Sequence, residues 1–252
     1  LDGVIIVVCA VEGIMPQTET VIRQALKEKV KPVLFINKVD RLIAELQVTP
    51  EDMMQRFGKI ITEVNKLIVR MVPEEFKKEW MVDAQAGTVA FGSAYHNWAT
   101  SLPFMAKKNV NFKQIYEFME KEQKRELAQA APLHEVLLDM IVEKLPSADI
   151  AQKYRIPHIW RGESEEEIGQ AMVNANADGD SAFMVTKVVL DPHAGEIAVG
   201  RLFSGSIKKG DQMYVAEMPN SNRVQSVGMF VGGDRIATET VTAGNIIAVS
   251  GL

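Results

Sequence analysis

Apolar runs, helical stripes and short alternating stretches follow one another along the chain and predict an α/β part followed by an all-β part. Residues 4–10 are continuously apolar and rich in β-branched side chains, the signature of a strand buried on both faces of a parallel sheet. Gly13 and Pro16 punctuate the loop after it. Residues 18–29 place Val21, Ile22, Ala25 and Leu26 on one helical face, and residues 30–36 form the next apolar run. Two such strands joined by a helix make a right-handed βαβ unit, and ligands on such sheets gather at the carboxyl ends of the strands.

Thr49, Pro50 and Glu51 form a helix start, with Thr49 as N-cap and Pro50 in the first turn. Met53, Phe57, Ile60, Ile61, Val64 and Ile68 then recur at helical spacing, so this helix runs to about Met71 and its stripe is core. A short charged helix is expected over residues 73–80, and a third strand over 87–91 that ends in Gly92, Ser93 and Ala94. Helices follow over 112–128 and 133–145, the second stopped by Pro146. Residues 154–162 read as extended and aromatic, and residues 164–167 have capping-box spacing.

The small polar stretch 174–180 marks a change of composition and period, and we place the domain boundary there: residues 1–177, then 178–252. Beyond it, short strand-like runs cover 182–190, 196–203, 212–216, 223–230 and 246–249, with turns at 191–195 and 208–211. Closely spaced short strands of this kind predict a small β-barrel.

Composition narrows the function classes. Of 252 residues 47% are hydrophobic and 24% charged, so a sizeable core is expected. A net charge of −5 argues against indiscriminate nucleic-acid binding. The single cysteine, Cys9, excludes an internal disulfide, reads as a small buried apolar residue, and fits a reducing cytosol. No run is long enough for a membrane-spanning helix, and no basic segment precedes the first apolar run as in a signal peptide. His96, His134, His158 and His193 lack metal-ligand spacing, so no metal site and no catalytic set is expected. The chain opens without an initiator Met, directly at a core-type strand, and is expected to be a piece of a longer protein.

The chemistry centres on Asn37, Lys38 and Asp40, which close the second strand. Guanine presents two parallel donors, N1–H and the exocyclic amine, and a carboxylate offers two acceptors to match. Adenine lacks that donor pair and would leave the carboxylate unsatisfied. Asn37 can both donate and accept, and the Lys38 stem can lie over a base face. Ser93 and Ala94, at the end of the neighbouring strand, would complete the pocket, a backbone N–H there suiting the guanine O6. A capped strand-to-helix loop would use the same residue types. No G-x-x-x-x-G-K-S/T loop, the element that cradles nucleotide phosphates, occurs in the sequence.

These residues, with residues 11–18, Arg41 and Leu42, residues 145–155, residues 200–205 and Ala243, Gly244 and Asn245, resemble the elongation factor 2/elongation factor G family of translational GTPases. The short stretch between Asp40 and Gly92 favours the archaeal type. The resemblance implies a partial Ras-like G domain followed by a translation-factor β-barrel. It also implies GTP or GDP with Mg in the parent protein, the ribosome as partner, and a cytoplasmic location. It assigns the guanine base to Asn37, Lys38, Asp40, Ser93 and Ala94. Because the phosphate loop and the switches are missing from this sequence, the chain alone is expected to hold no nucleotide tightly and to be inactive. Self-association through an exposed first strand is also expected. A non-enzymatic ribosome-binding module, with Lys208 and Lys209 contributing, and a piece of a release or initiation factor are the alternatives.

Overall fold

A computed structural model describes residues 1–108, 111–121, 123–192, 195–216 and 218–252. His193 and the centre of the predicted turn at 191–195 lie outside the described residues. The chain forms two compact units, Leu1–Pro146 and Ser147–Leu252.

The first unit alternates strands and helices: β1 (Gly3–Cys9), α1 (Pro16–Lys27), β2 (Lys31–Asn37), α2 (Val39–Ala44), α3 (Pro50–Met71) and α4 (Glu74–Trp80). It continues with β3 (Val89–Ser93), β4 (Trp98–Thr100), α5 (Leu102–Lys108), α6 (Phe112–Glu120), α7 (Lys124–Ala130) and α8 (Leu133–Lys144). The strands form one sheet in the order β1-β2-β3-β4. β1–β2 and β2–β3 are parallel, and β3–β4 is antiparallel.

β2 is the axis of this unit. Val33, Leu34, Phe35 and Ile36 are all buried, as expected of a central strand covered on both faces. Ile22 and Leu26 of α1 and Met53, Phe57, Ile60, Val64, Leu67 and Ile68 of α3 supply buried helix faces. The Thr49 side chain accepts from the Asp52 N–H, so the cap read from the sequence is formed. Phe57, Phe91 and Phe112 stack ring against ring, with centroids 5.2 Å and 5.7 Å from Phe91, and tie α3, β3 and α6 together.

Several expectations need correction. β1 is an edge strand, so it is not buried on both faces: Val7 is 53% exposed, and Cys9 is only half-buried. The helix expected over 112–128 is two, α6 and α7, with Lys121 as the C-cap of the first. α6 opens with a capping box between Asn111 and Gln114 that sequence reading missed. The third strand runs on to Ser93 and turns back into β4, which at three residues is too short to show a period of its own.

The second unit comprises α9 (Ala148–Ile159), α10 (Glu167–Val173), β5 (Ala182–Asp191), β6 (Gly195–Ser204), β7 (Ser206–Lys208), β8 (Gln212–Tyr214), β9 (Ser221–Arg223), β10 (Ser226–Val231), β11 (Asp234–Thr238), β12 (Thr240–Thr242) and β13 (Ile246–Ser250). An antiparallel sheet ordered β11-β10-β13-β6-β5 is joined by the pairs β7–β12 and β8–β9. Leu202, Ile207, Val224, Val227, Val241, Ile247 and Val249 point into one core from β6, β7, β10, β12, β13 and the β9–β10 connection.

The reading of 154–162 as extended is wrong. Residues through Ile159 belong to α9, which carries Pro157 in its last turn. A proline there forgoes one hydrogen bond near the end of a helix instead of breaking its middle. Gln152 explains why the segment packs as a helix. It is buried, and its Nε2 donates to the Phe203 carbonyl at 2.9 Å and to the Met172 carbonyl. α9, α10 and β6 are thereby locked around Ile156, Met172 and Phe203. The capping box expected at 164–167 does not form, since α10 begins two residues later, with Glu166 at its N-cap and no side-chain cap bond. No helix among the described residues is long and apolar enough to cross a membrane.

Candidate functional site

β2 and β3 are parallel neighbours, so their carboxyl ends, Asn37 and Ser93, emerge side by side. Asn37 joins them. Its Oδ1 accepts from the Lys38 N–H at 2.8 Å and from the Ala94 N–H at 2.9 Å. Its own carbonyl accepts from the Ala10 N–H at 2.8 Å, which adds the end of β1. One residue thus holds three strand ends. The carboxamide holds the neighbouring loop by consuming the Ala94 N–H, the amide that a ligand carbonyl would otherwise meet. The next amide, Tyr95 N–H, makes no hydrogen bond among the described residues.

Lys38 takes a left-handed backbone, φ 66° and ψ 33°, and is exposed. That conformation costs a non-glycine residue about 1–2 kcal/mol and is tolerated where surrounding contacts enforce it. Here the Asn37 acceptor fixes the Lys38 amide from one side. Buried Val39, Leu42 and Ile43 seat α2 from the other. With those three side chains inward, Asp40 and Arg41 face the cleft.

Asp40 is the most unusual group in the site. Its Oδ1 is buried and has no hydrogen-bond partner. Its Oδ2 lies 3.7 Å from the Nε2 of His96, too far for a hydrogen bond. Buried polar atoms are normally satisfied, and an orphaned carboxylate oxygen in a cleft calls for a donor that the chain does not supply. Ser93 is buried, and its Oγ accepts from the His96 N–H at 3.2 Å, so Ser93 shapes the turn that carries His96. Gly92 permits this geometry: a Cβ there would strike the Trp98 carbonyl and Ala99 Cα of β4.

The cleft, about 500 Å³, is bounded by Lys38, Asp40, Ser93, Tyr95 and His96, with Met119 of α6 and Lys124 of α7 as the far wall. This volume falls within the ordinary range for small-molecule sites. Tyr95 is 87% exposed and meets the His96 ring edge-on, with centroids 4.8 Å apart. Arg41 is engaged by Glu45, its Nη2 2.9 Å from the carboxylate. The hydrogen bond from Arg41 holds the Glu45 carboxyl below its ordinary range and raises Arg41 in turn.

All five residues singled out from the sequence, Asn37, Lys38, Asp40, Ser93 and Ala94, therefore lie at one pair of strand ends. Sequence reading found no metal-ligand spacing at His96, left it without a role, and gave none to Tyr95, Met119 or Lys124. Proximity to Ser93 could have flagged His96, whereas the α6 and α7 residues arrive only through packing. Among the described residues no group of three or more His, Cys, Asp or Glu side chains is placed to hold a metal ion.

Removing the Asn37 carboxamide orphans two loop amides, so Asn37→Ala should destabilise the first unit by about 1–3 kcal/mol in urea denaturation. Hydrogen exchange should then accelerate at Lys38 and Ala94 before the rest of the sheet.

Comparison with known proteins adds a family to this geometry. Residues 1–147 match the family described as elongation factor Tu GTP binding domain, and residues 180–252 match elongation factor G domain 2. Over its full length the chain is 58% identical to elongation factor 2 of Methanococcus aeolicus, covering 35% of that protein. It is 58% identical to elongation factor 2 of Pyrococcus horikoshii, covering 34%, and 55% identical to that of Methanocaldococcus jannaschii, covering 35%; each alignment spans the whole chain. The chain thus spans about a third of the length of these curated relatives. By the match over its first 147 residues, this chain belongs to the family of translational GTPases that share the elongation factor Tu GTP-binding domain.

Proposed function

We propose that this chain is the later part of the G domain and the second domain of an archaeal-type elongation factor 2, a cytoplasmic, GTP-dependent translocase that acts on the ribosome. In that protein Asn37, Lys38, Asp40, Ser93 and Ala94 form the guanine-base pocket. The observation that carries the reading is the buried, unpartnered Oδ1 of Asp40 at a cleft between two adjacent strand ends. Guanine's N1–H and exocyclic amine supply the missing donors in a bidentate, charge-assisted pair. Lys38 lays its methylene stem along the base, and Asn37 keeps the two loops at a fixed spacing.

When bound, the nucleotide's phosphates would supply the bond that is hydrolysed, and Mg²⁺ would offset the negative charge that develops on them. The residues here fit the base. The glycine-rich phosphate loop has no counterpart in this sequence, so those groups are held by residues outside it. The chain's own part in catalysis is to select and orient the nucleotide by its base. On its own it performs no hydrolysis.

Titration with fluorescent GDP tests both halves of this reading. The chain alone should bind on the order of millimolar or weaker, and the full-length protein should bind micromolar or tighter. Micromolar binding by the chain alone would overturn the division of labour. In the full-length protein, Asp40→Asn should weaken GDP by about 10²-fold or more and favour xanthosine diphosphate, whose C2 carbonyl accepts from the new amide. Unchanged base preference would remove Asp40 from the role.

β1 presents an unpaired edge with Val7 exposed. The isolated chain should therefore self-associate in the micromolar range, read as a concentration-dependent mass by sedimentation. A monomer at all concentrations would show that the edge is protected.

A further inference from the structure

Among the described residues, His96 is the one ionisable side chain that the structure sets directly against the carboxylate of Asp40. It stands on the turn between β3 and β4, its amide fixed by Ser93 Oγ, with Nε2 3.7 Å from Asp40 Oδ2. Both side chains are largely enclosed, at 20% and 15% exposure. We propose that His96 is a proton-operated latch on Asp40, the neutral imidazole leaving the carboxylate open to a base and the imidazolium seizing it. The inference rests on the guanine reading of the cleft and assigns His96 a positioning role within it.

The physical case turns on what a bidentate contact demands. A base with two parallel N–H donors needs both carboxylate oxygens in one plane. Oδ1 is enclosed and unpartnered, so it is ready for a ligand as it stands. Oδ2 is the oxygen that His96 faces. At 3.7 Å the neutral ring makes no hydrogen bond to it. A protonated ring can close that gap to about 2.7–2.9 Å with full charge assistance, and the carboxylate must turn to accept it. The latched carboxylate has one oxygen occupied and its plane rotated away from the ligand.

The other charges around the cleft do not substitute for His96. Arg41 and Glu45 of α2 are paired with each other. Among the described residues, Lys38 at the β2–α2 junction and Lys124 of α7 line the cleft without an ion pair to Asp40, and the residue of α6 that lines it is uncharged Met119. Tyr95 touches the His96 ring by its edge. Among the described residues that line the cleft, His96 is thus the group whose protonation would change the charge facing Asp40.

The sign follows directly. Guanine affinity is lost as pH falls through the imidazole range and restored as it rises. If the latched form does not bind, the apparent dissociation constant rises between pH ~7.5 and ~5.5 in inverse proportion to the fraction left unlatched, about tenfold when nine in ten molecules are latched.

The test is the affinity of the full-length protein for fluorescent GDP across that range, with His96→Gln and His96→Lys beside the wild type. The terminal phosphate titrates near pH ~6 and shifts all three curves alike, so the difference between curves is the readout. Wild type should weaken about tenfold more than His96→Gln on acidification. His96→Lys should bind weakly at every pH. Parallel slopes for wild type and His96→Gln, or full affinity in His96→Lys, would overturn the latch. The base reading is checked in the same series by the ratio of GDP to ADP affinity at pH ~7.5. A high ratio with parallel slopes removes the latch alone, and a ratio near one removes the base reading together with it.

Discussion

A single carboxamide oxygen, Asn37 Oδ1, accepts one backbone N–H from its own loop and one from a loop 57 residues further along the chain. Parallel strands deliver their ends to the same edge of a sheet, but nothing in strand pairing sets the spacing of the loops beyond those ends. The Asn37 bridge does. It fixes Lys38 in a left-handed backbone, which starts α2 with Asp40 in its first turn. It also fixes Ala94, which begins the turn carrying Tyr95 and His96. The carboxylate and the groups around it inherit their positions from that one acceptor.

Beneath the bridge the sheet supplies rigidity. β2 is buried along nearly its whole length, and α3 spans 22 residues with a formed N-cap at Thr49. The Phe57–Phe91–Phe112 cluster couples that helix to β3 and to α6. α6 in turn brings Met119 to the far side of the cleft. The pocket is therefore half strand-end chemistry and half helix packing. The first half binds through placed polar groups, and the second excludes water around them.

That division explains what could be read in the sequence. The run ending at Ile36, the stripe from Met53 to Ile68 and the cap at Thr49 are local signals, and each forms the element it predicts. Asn37, Asp40 and Ser93 sit in short contiguous motifs, so their places at two adjacent strand ends were legible too. α9 was not. Its buried face is only Ala151, Gln152 and Ile156, one of them polar, and it contains a proline. Its stability comes from Gln152 bonding to carbonyls 20 and 51 residues away, which no periodicity encodes. Asp40's contact with His96 was hidden for the same reason, since it spans two loops whose approach depends on sheet order. β1 was half legible: its apolar run reads as a strand buried on both faces, which it is not, while the expected exposed edge is present, with β2 its one neighbour.

The turn between β3 and β4 is pinned at both ends. Ser93 pairs with Trp98, and Trp98 is wholly buried. Side chains alternate across a strand, so adding or deleting one residue between them would turn the indole out of the core. Surface loops near ligands usually tolerate changes of length, because little else depends on them. Here the core forbids it. Composition is left as the means of diversification at this rim: Tyr95 and His96 can be exchanged one for one, while the number of residues between Ser93 and Trp98 cannot change. Exchanges at those two positions change the side chains at the cleft and leave both pinned ends of the turn in place.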